Sequence, residues 1–205
     1  MKLLRLSTLL LLAAVTTHAM GDKTVFDTTS PPPPPNPREV APFVIGIEMG
    51  INSLGSLVGG HFTWYPFQQI ALDLGGGWST AGMRGGVGAR YFLSDKFNSP
   101  FIGAAYMRSG GSDSAALDGN SGEDRKYYVV INNLQFVNAV AGYEYRRPDG
   151  LTVALTTGWS FALTPKADRY DIRWGAGSMS SDAKDQLDWM TGSGPIASIM
   201  VGYGF

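Results

Sequence analysis

From residue 42 to the end of the chain, large apolar residues return at every second position, and glycine, small or charged residues fill the gaps. PFVIGIEMGIN sets Phe43, Ile45, Ile47, Met49 and Ile51 against Val44, Gly46, Glu48 and Gly50. SLVGGHFTWYP sets Val58, Phe62 and Trp64 against Gly59, His61 and Thr63. QIALDLGGGWS, GMRGGVGARYFL, FVNAVAGYEYR, LTVALTTGWSF and the terminal PIASIMVGYGF repeat the pattern. A period of two predicts strands, each with one bulky apolar face. PFIGAAYMR is also strand-like, but bulky residues occur at both parities, so its facing stays open. Eight strands result, each close to the 9–11 residues that a tilted strand needs to cross a bilayer.

Connection lengths and aromatic placement extend the pattern. YPFQQ, SDKFNS and RRPDG are short turns. The links between the fifth and sixth and between the seventh and eighth strands are long, which predicts a barrel with short turns on one rim and long loops on the other. Phe43, Trp64, Tyr91, Tyr143, Tyr145, Tyr203 and Phe205 fall on the apolar face near the short turns, and Trp78, Trp159 and Phe161 near the long loops. Two aromatic girdles flanking an apolar band are expected of a barrel whose outside touches lipid, and closure is expected because an open edge in hydrocarbon leaves backbone groups unpaired. The fold class read here is all-β, an eight-stranded antiparallel up-and-down transmembrane barrel over 42–205. A soluble barrel with an apolar interior would place the charges outside; here they share a face with glycine and alanine.

The N-terminal stretch fits export. Lys2 and Arg5 precede an apolar run from Leu9 to Val15, and Thr17-His18-Ala19 offers a small-residue site, so residues 1–19 read as a signal peptide cleaved after Ala19. The apolar run is too short for a membrane anchor. Residues 20–41 contain five consecutive prolines and then Pro37, and read as an extended, non-helical periplasmic tether that could also dock a periplasmic partner. The chain has no cysteine, which excludes disulfides, a cysteine-ligated metal and an acyl-anchored cysteine. A formal charge of −1 gives no electrostatic case for nucleic acid, and 27 glycines suit an all-β chain rich in turns.

The signal peptide, the eight alternating runs and the final VGYGF resemble the small outer-membrane β-barrel family, similar to the OmpA and OmpX transmembrane domains. The resemblance covers 42–205 and implies location in the outer membrane, lipid as surroundings, and the barrel-assembly machinery as folding partner, with Tyr203 and Phe205 as the assembly signal. The proline-rich segment precedes the barrel here, whereas in OmpA it follows, and no peptidoglycan-binding domain is expected, so cell-wall attachment is not carried over.

The charged residues of the small-residue face are the candidate chemistry. Glu48, His61, Asp73, Arg84, Arg90, Glu144 and Arg146 are expected in the lumen, with Arg108 as a further candidate whose strand leaves the facing open. An eight-stranded lumen is only wide enough for its own side chains, so these charges must pair or hold water. Symmetry about the turns predicts one polar layer, Glu48–His61–Asp73–Arg90, across the first four strands. A histidine between carboxylates suits a general base, and some barrels of this size modify lipid A. Against that, His61 points inward, away from lipid, and is the only histidine after signal removal, so the layer reads as structural, with no catalytic residue, metal or cofactor expected.

Two loop segments, near 109–127 and 162–193, offer surfaces for an extracellular ligand. LDGNSGEDR carries Asp118, Glu123 and Asp124 without the spacing of a calcium loop. SSDAKDQLDWM places Ala183, Leu187 and Met190 at helical spacing, and RYDIRW alternates like a strand. The facing of 127–135 changes around Asn132 and Asn133, which suggests a bulge. Three function classes follow: a structural or surface-interaction barrel with a closed lumen, which is the reading adopted; a narrow pore, kept open by Gly75, Gly77, Gly86 and Gly88 on the inner face; and a lipid A-modifying enzyme, the least favoured.

Overall fold

A computed structural model describes residues 35–118, 126–174 and 181–205. The expected signal peptide and the proline run as far as residue 34 lie outside the described residues, as do Glu123 and Asp124 of the acidic loop. Eight strands form the barrel: β1 (Phe43–Ile51), β2 (Val58–Phe67), β3 (Ile70–Ser79), β4 (Gly82–Phe92), β5 (Asn98–Ser109), β8 (Leu134–Arg146), β9 (Leu151–Ala162) and β11 (Gly194–Gly204). Between them, β6 (Ser112–Asp118), β7 (Lys126–Ile131) and β10 (Tyr170–Trp174) make a separate three-stranded sheet.

Each barrel strand pairs antiparallel with the next barrel strand in the chain, and β1 pairs with β11 to close the sheet. The fold is therefore the all-β up-and-down barrel that the alternation predicts. The seam is complete to its end, since Phe43 and Phe205 each donate their N–H to the other's carbonyl at 3.2 and 2.9 Å. One row of directly paired residues runs Trp64, Leu72, Ala89, Ala104, Ala139, Trp159, so it passes from one girdle to the other. Such a climb shows that the strands are tilted against the barrel axis, as closure requires.

The facing follows the sequence pattern. Ile45, Ile47, Leu74, Val87 and Leu155 are each more than half exposed on the outside, while Val44, Thr63, Ala71, Ser99 and Thr152 inside are fully buried. In β5 the structure settles what the sequence leaves open. Phe101 and Met107 point inward and are buried, and Ile102 and Tyr106 point outward. Arg108 shares their outward parity and is exposed, which corrects its candidacy for the lumen. Bulky and small residues are mixed on both faces of β5, Phe101 and Met107 with Gly103 inside and Ile102 and Tyr106 with Ala104 outside, so bulk does not mark its faces.

The segment before β1 also departs from expectation. Pro37–Val40 forms a single helical turn, α1, where an extended tether was expected. Pro37 stands at its first position, where a missing N–H costs nothing, and Asn36 caps it by accepting from the Arg38 N–H. On the opposite rim, the suggested bulge near Asn132 is a full break, with β7 leaving the barrel to pair with β6 and β10. There Ser181–Thr191 folds as helix α2, and its Ala183 and Leu187 bury against Val129 of β7. The expected amphipathic helix and the RYDIRW strand are both present. Asp188 of α2 pairs with Lys166 at 2.6 Å across open solvent, and that hydrogen bond holds the Lys166 ammonium above the usual lysine range.

Candidate functional site

The lumen is where the charged residues meet. Glu48 of β1, His61 of β2, Asp73 of β3 and Arg90 of β4 lie on consecutive strands. Yet none of them faces the next directly. Glu48 is paired with Gly59, His61 with Gly46 and Gly75, Asp73 with Gly88, and Arg90 with Gly103. With a glycine directly opposite, each side chain has room to lean along the diagonal towards its neighbour. The predicted layer forms in this way. His61 Nδ1 lies 2.8 Å from Glu48 Oε2 and Nε2 3.1 Å from Asp73 Oδ1. Carboxylates only accept, so both ring nitrogens donate. Arg90 closes the layer with a fork on Asp73, Nε to Oδ2 at 2.7 Å and Nη2 to Oδ1 at 2.8 Å.

Further partners complete each group. Glu48 also accepts from the Ser198 hydroxyl at 2.7 Å and the Gly55 N–H at 2.8 Å. Thr63 donates to Asp73 at 2.7 Å. Arg90 Nη1 reaches Glu144 Oε2 at 3.1 Å, and the Tyr65 hydroxyl donates to the same oxygen at 2.8 Å. Glu144 thus joins the layer to a second one nearer the short-turn rim.

That second layer contains a residue the sequence did not single out. Arg38 of α1 is buried in the barrel mouth, with Nε 3.3 Å from Glu144 Oε1 and Nη1 reaching the carbonyls of Gln68 and Ser94 at 3.3 and 3.4 Å. Its guanidinium lies 3.8 Å from the centre of the Phe92 ring, a cation–π contact. Arg146 bonds the Ala41 carbonyl and lies 4.9 Å from the Tyr65 ring. No motif announces Arg38; its one signal is an arginine with a proline and a cap before it, just ahead of the first strand. The inward aromatics Tyr65, Phe92, Phe101 and Phe136, which give the guanidiniums their ring faces, are visible only as the odd members of each alternation.

Arg84 lies in the lumen but apart from this network. It donates to Asn52 Oδ1 at 3.2 Å and sits 4.5 Å above the Phe136 ring at the long-loop end. The connection between β1 and β2 folds inward beside it, burying Ser53, Leu54 and Ser56, with positive φ at Asn52 and Ser56. Leu54 fills the space over Gly75, where an added Cβ would come within 2.8 Å of its side chain. An added Cβ on Gly77 or Gly86 would meet backbone oxygens at 2.3 Å. Leu54 thus occupies the lumen beside Gly75, and Gly77 and Gly86 stand close against neighbouring backbone. A cavity of about 40 Å³ lies beside His61, Asp73 and Asn138, room for a few waters.

Tyr203 and Phe205 point outward at the short-turn rim, both more than half exposed, with Phe205 6.1 Å from the Phe43 ring. The network can hold charge and a little water in a fixed geometry. His61 has no nitrogen left to accept a proton from a substrate, and no described cluster of three or more His, Asp or Glu residues has metal-holding geometry.

This architecture is a closed eight-stranded antiparallel barrel whose interior holds buried charged residues beside apolar ones. No family model and no curated protein matches the chain. Among solved structures it is similar to Acinetobacter baumannii CarO, with a TM-score of 0.42, 14% identity, and coverage of 81% of this chain and 99% of that one. It is similar also to Acinetobacter baumannii CarO2, with a TM-score of 0.42, 13% identity, and coverage of 80% and 99%.

Proposed function

We propose that this chain is an outer-membrane β-barrel protein with a non-conducting lumen, whose role lies in its outer surfaces. The membrane reading rests on the outward face: its exposed residues are mostly apolar on all eight barrel strands, far beyond the few hundred Å² of contiguous apolar patch that a soluble monomer tolerates. Aromatic girdles at both rims and the outward Tyr203 and Phe205 support insertion by the barrel-assembly machinery. The non-conducting reading is carried by one observation, the unbroken chain of contacts from Ser198 through Glu48, His61, Asp73, Arg90 and Glu144 to Arg38. No role as an enzyme is proposed, since the reactive-looking groups are inside and saturated. The small sheet and α2 at the long-loop rim, with Trp189 exposed, supply a platform for an extracellular ligand.

Single-channel recording of the mature chain in planar bilayers tests this. Stable insertion with no current is expected. Steady openings that change when Arg90 or Asp73 is neutralised would move the function to the lumen and make the protein a narrow pore.

A further inference from the structure

On the outward faces of the eight barrel strands, every described residue is uncharged except Arg108. It stands two residues beyond Tyr106 and one before Ser109, the last residue of β5, at the long-loop end of the strand. At that depth a guanidinium reaches the polar edge of a bilayer at little cost. No described residue pairs with it. Its direct neighbour Gln135 uses its side-chain oxygen to accept from the Tyr106 hydroxyl at 3.1 Å, so its amide N–H groups remain to donate. Donors without an acceptor are thus gathered at one point of an otherwise apolar wall.

On the other side of Arg108 the wall is hollow. Its paired neighbour across the sheet is Gly85, then Gly76, then Gly60, in one continuous row. An added Cβ at Gly60 would meet nothing within 4 Å, and at Gly76 and Gly85 nothing closer than 3.4 Å, so the row is a true trough and owes nothing to inside packing. Ile45, Ile47, Phe62 and Leu74 line its lower end. Three strand spacings make it roughly 14 Å long. It leads from the middle of the apolar band to the arginine, with no side chain in the way.

We propose that Arg108 and Gln135 bind the phosphate of a phosphorylated lipid in the outer leaflet, with one acyl chain lying in the Gly60–Gly76–Gly85 trough. A guanidinium fork matches a phosphate, and an unbranched hydrocarbon chain matches a trough without side chains. This inference rests on the membrane reading above.

The test is native mass spectrometry of the full mature chain, released from detergent with equimolar bisphosphorylated lipid A and the same lipid dephosphorylated. Retention of the phosphorylated lipid is expected to be about tenfold higher, to fall to the level of the other lipid in Arg108→Ala, and to return in part in Arg108→Lys. Gly60→Leu should weaken retention of both lipids and leave the preference for phosphate. Equal retention of the two lipids, retention of neither, or an Arg108→Ala variant that behaves as wild type would overturn the proposal. So would a dimer that Gly60→Leu abolishes, which would give the trough to a second copy. Carbonate extraction from phospholipid vesicles separates the two readings. A chain that is extracted loses both, whereas one that stays inserted and shows no phosphate preference loses this proposal alone.

Discussion

Replacing Arg90 with methionine tests the network where it carries most. The new side chain has a similar length and would still fill the space beside Phe101, whose ring centre lies 4.9 Å from the guanidinium. What is lost is polar: two bonds to Asp73, one to Glu144 at 3.1 Å and one to the Thr63 hydroxyl at 3.1 Å. At about 1.5–3 kcal/mol for a hydrogen bond to a charged group, four bonds would sum to roughly 6–12 kcal/mol. That sum is too large, because neither carboxylate is orphaned. Asp73 keeps His61 and Thr63, and Glu144 keeps Arg38 and Tyr65. The better guide is the cost of removing one member of a buried ion pair, about 3–5 kcal/mol. Urea titration of the barrel folded into vesicles, followed by tryptophan fluorescence, measures it as a shift in midpoint at unchanged slope. Arg90→Lys should fall between, since an ammonium cannot span Asp73 and Glu144 as the fork does. An Arg90→Met variant within 1 kcal/mol of wild type would refute the view that these charges hold the barrel closed.

Gly75→Leu should cost about 1–3 kcal/mol in the same titration, because the new side chain occupies the place of Leu54, and Leu54→Ala in that background should recover part of the loss. Leu187→Ala should free α2 from Val129 by about 2–5 kcal/mol, seen as faster amide exchange in 181–191 with exchange in the barrel strands unchanged. Phe205→Ala should hardly move the urea midpoint, since its side chain is 60% exposed and the seam bonds are backbone, but should lower the amount of folded barrel recovered from cell envelopes. Equal recovery would remove the assembly role.

The barrel was legible because two-residue periodicity is a local signal, and each strand except β5 carries it over most of its length, with breaks at outward Gly60, Gly76 and Gly85 and at the register shift after Trp64. The polar layer was legible for the same reason, once the hairpins were laid side by side. Its geometry was not, because the diagonal lean of Glu48, His61, Asp73 and Arg90 depends on the glycines opposite them, which symmetry alone read as empty space. Arg38 was hidden by its surroundings in the chain. A turn of four residues after a proline run has no pattern of its own, and its burial is decided by Phe92, Gln68, Ser94 and Glu144, all distant in sequence. Arg108 is the complementary case: a charge in a strand whose two faces are equally bulky cannot be placed until its neighbours are.

The seam between β1 and β11 has a consequence for how the molecule comes into being. The first barrel strand waits for the eighth, across the 142 residues between Ile51 and Gly194, with register fixed from Val44 opposite Gly204 to Ile51 opposite Ala197. Until β11 arrives, β1 and β9 each present a bare edge with unpaired backbone groups, open to any other strand nearby. A nascent chain is therefore a sheet looking for a partner, and a product cut short before Gly194 has no way to finish. The closing strand must be made before the barrel can shut, which makes the interval between the two the stage at which this protein most needs a guardian.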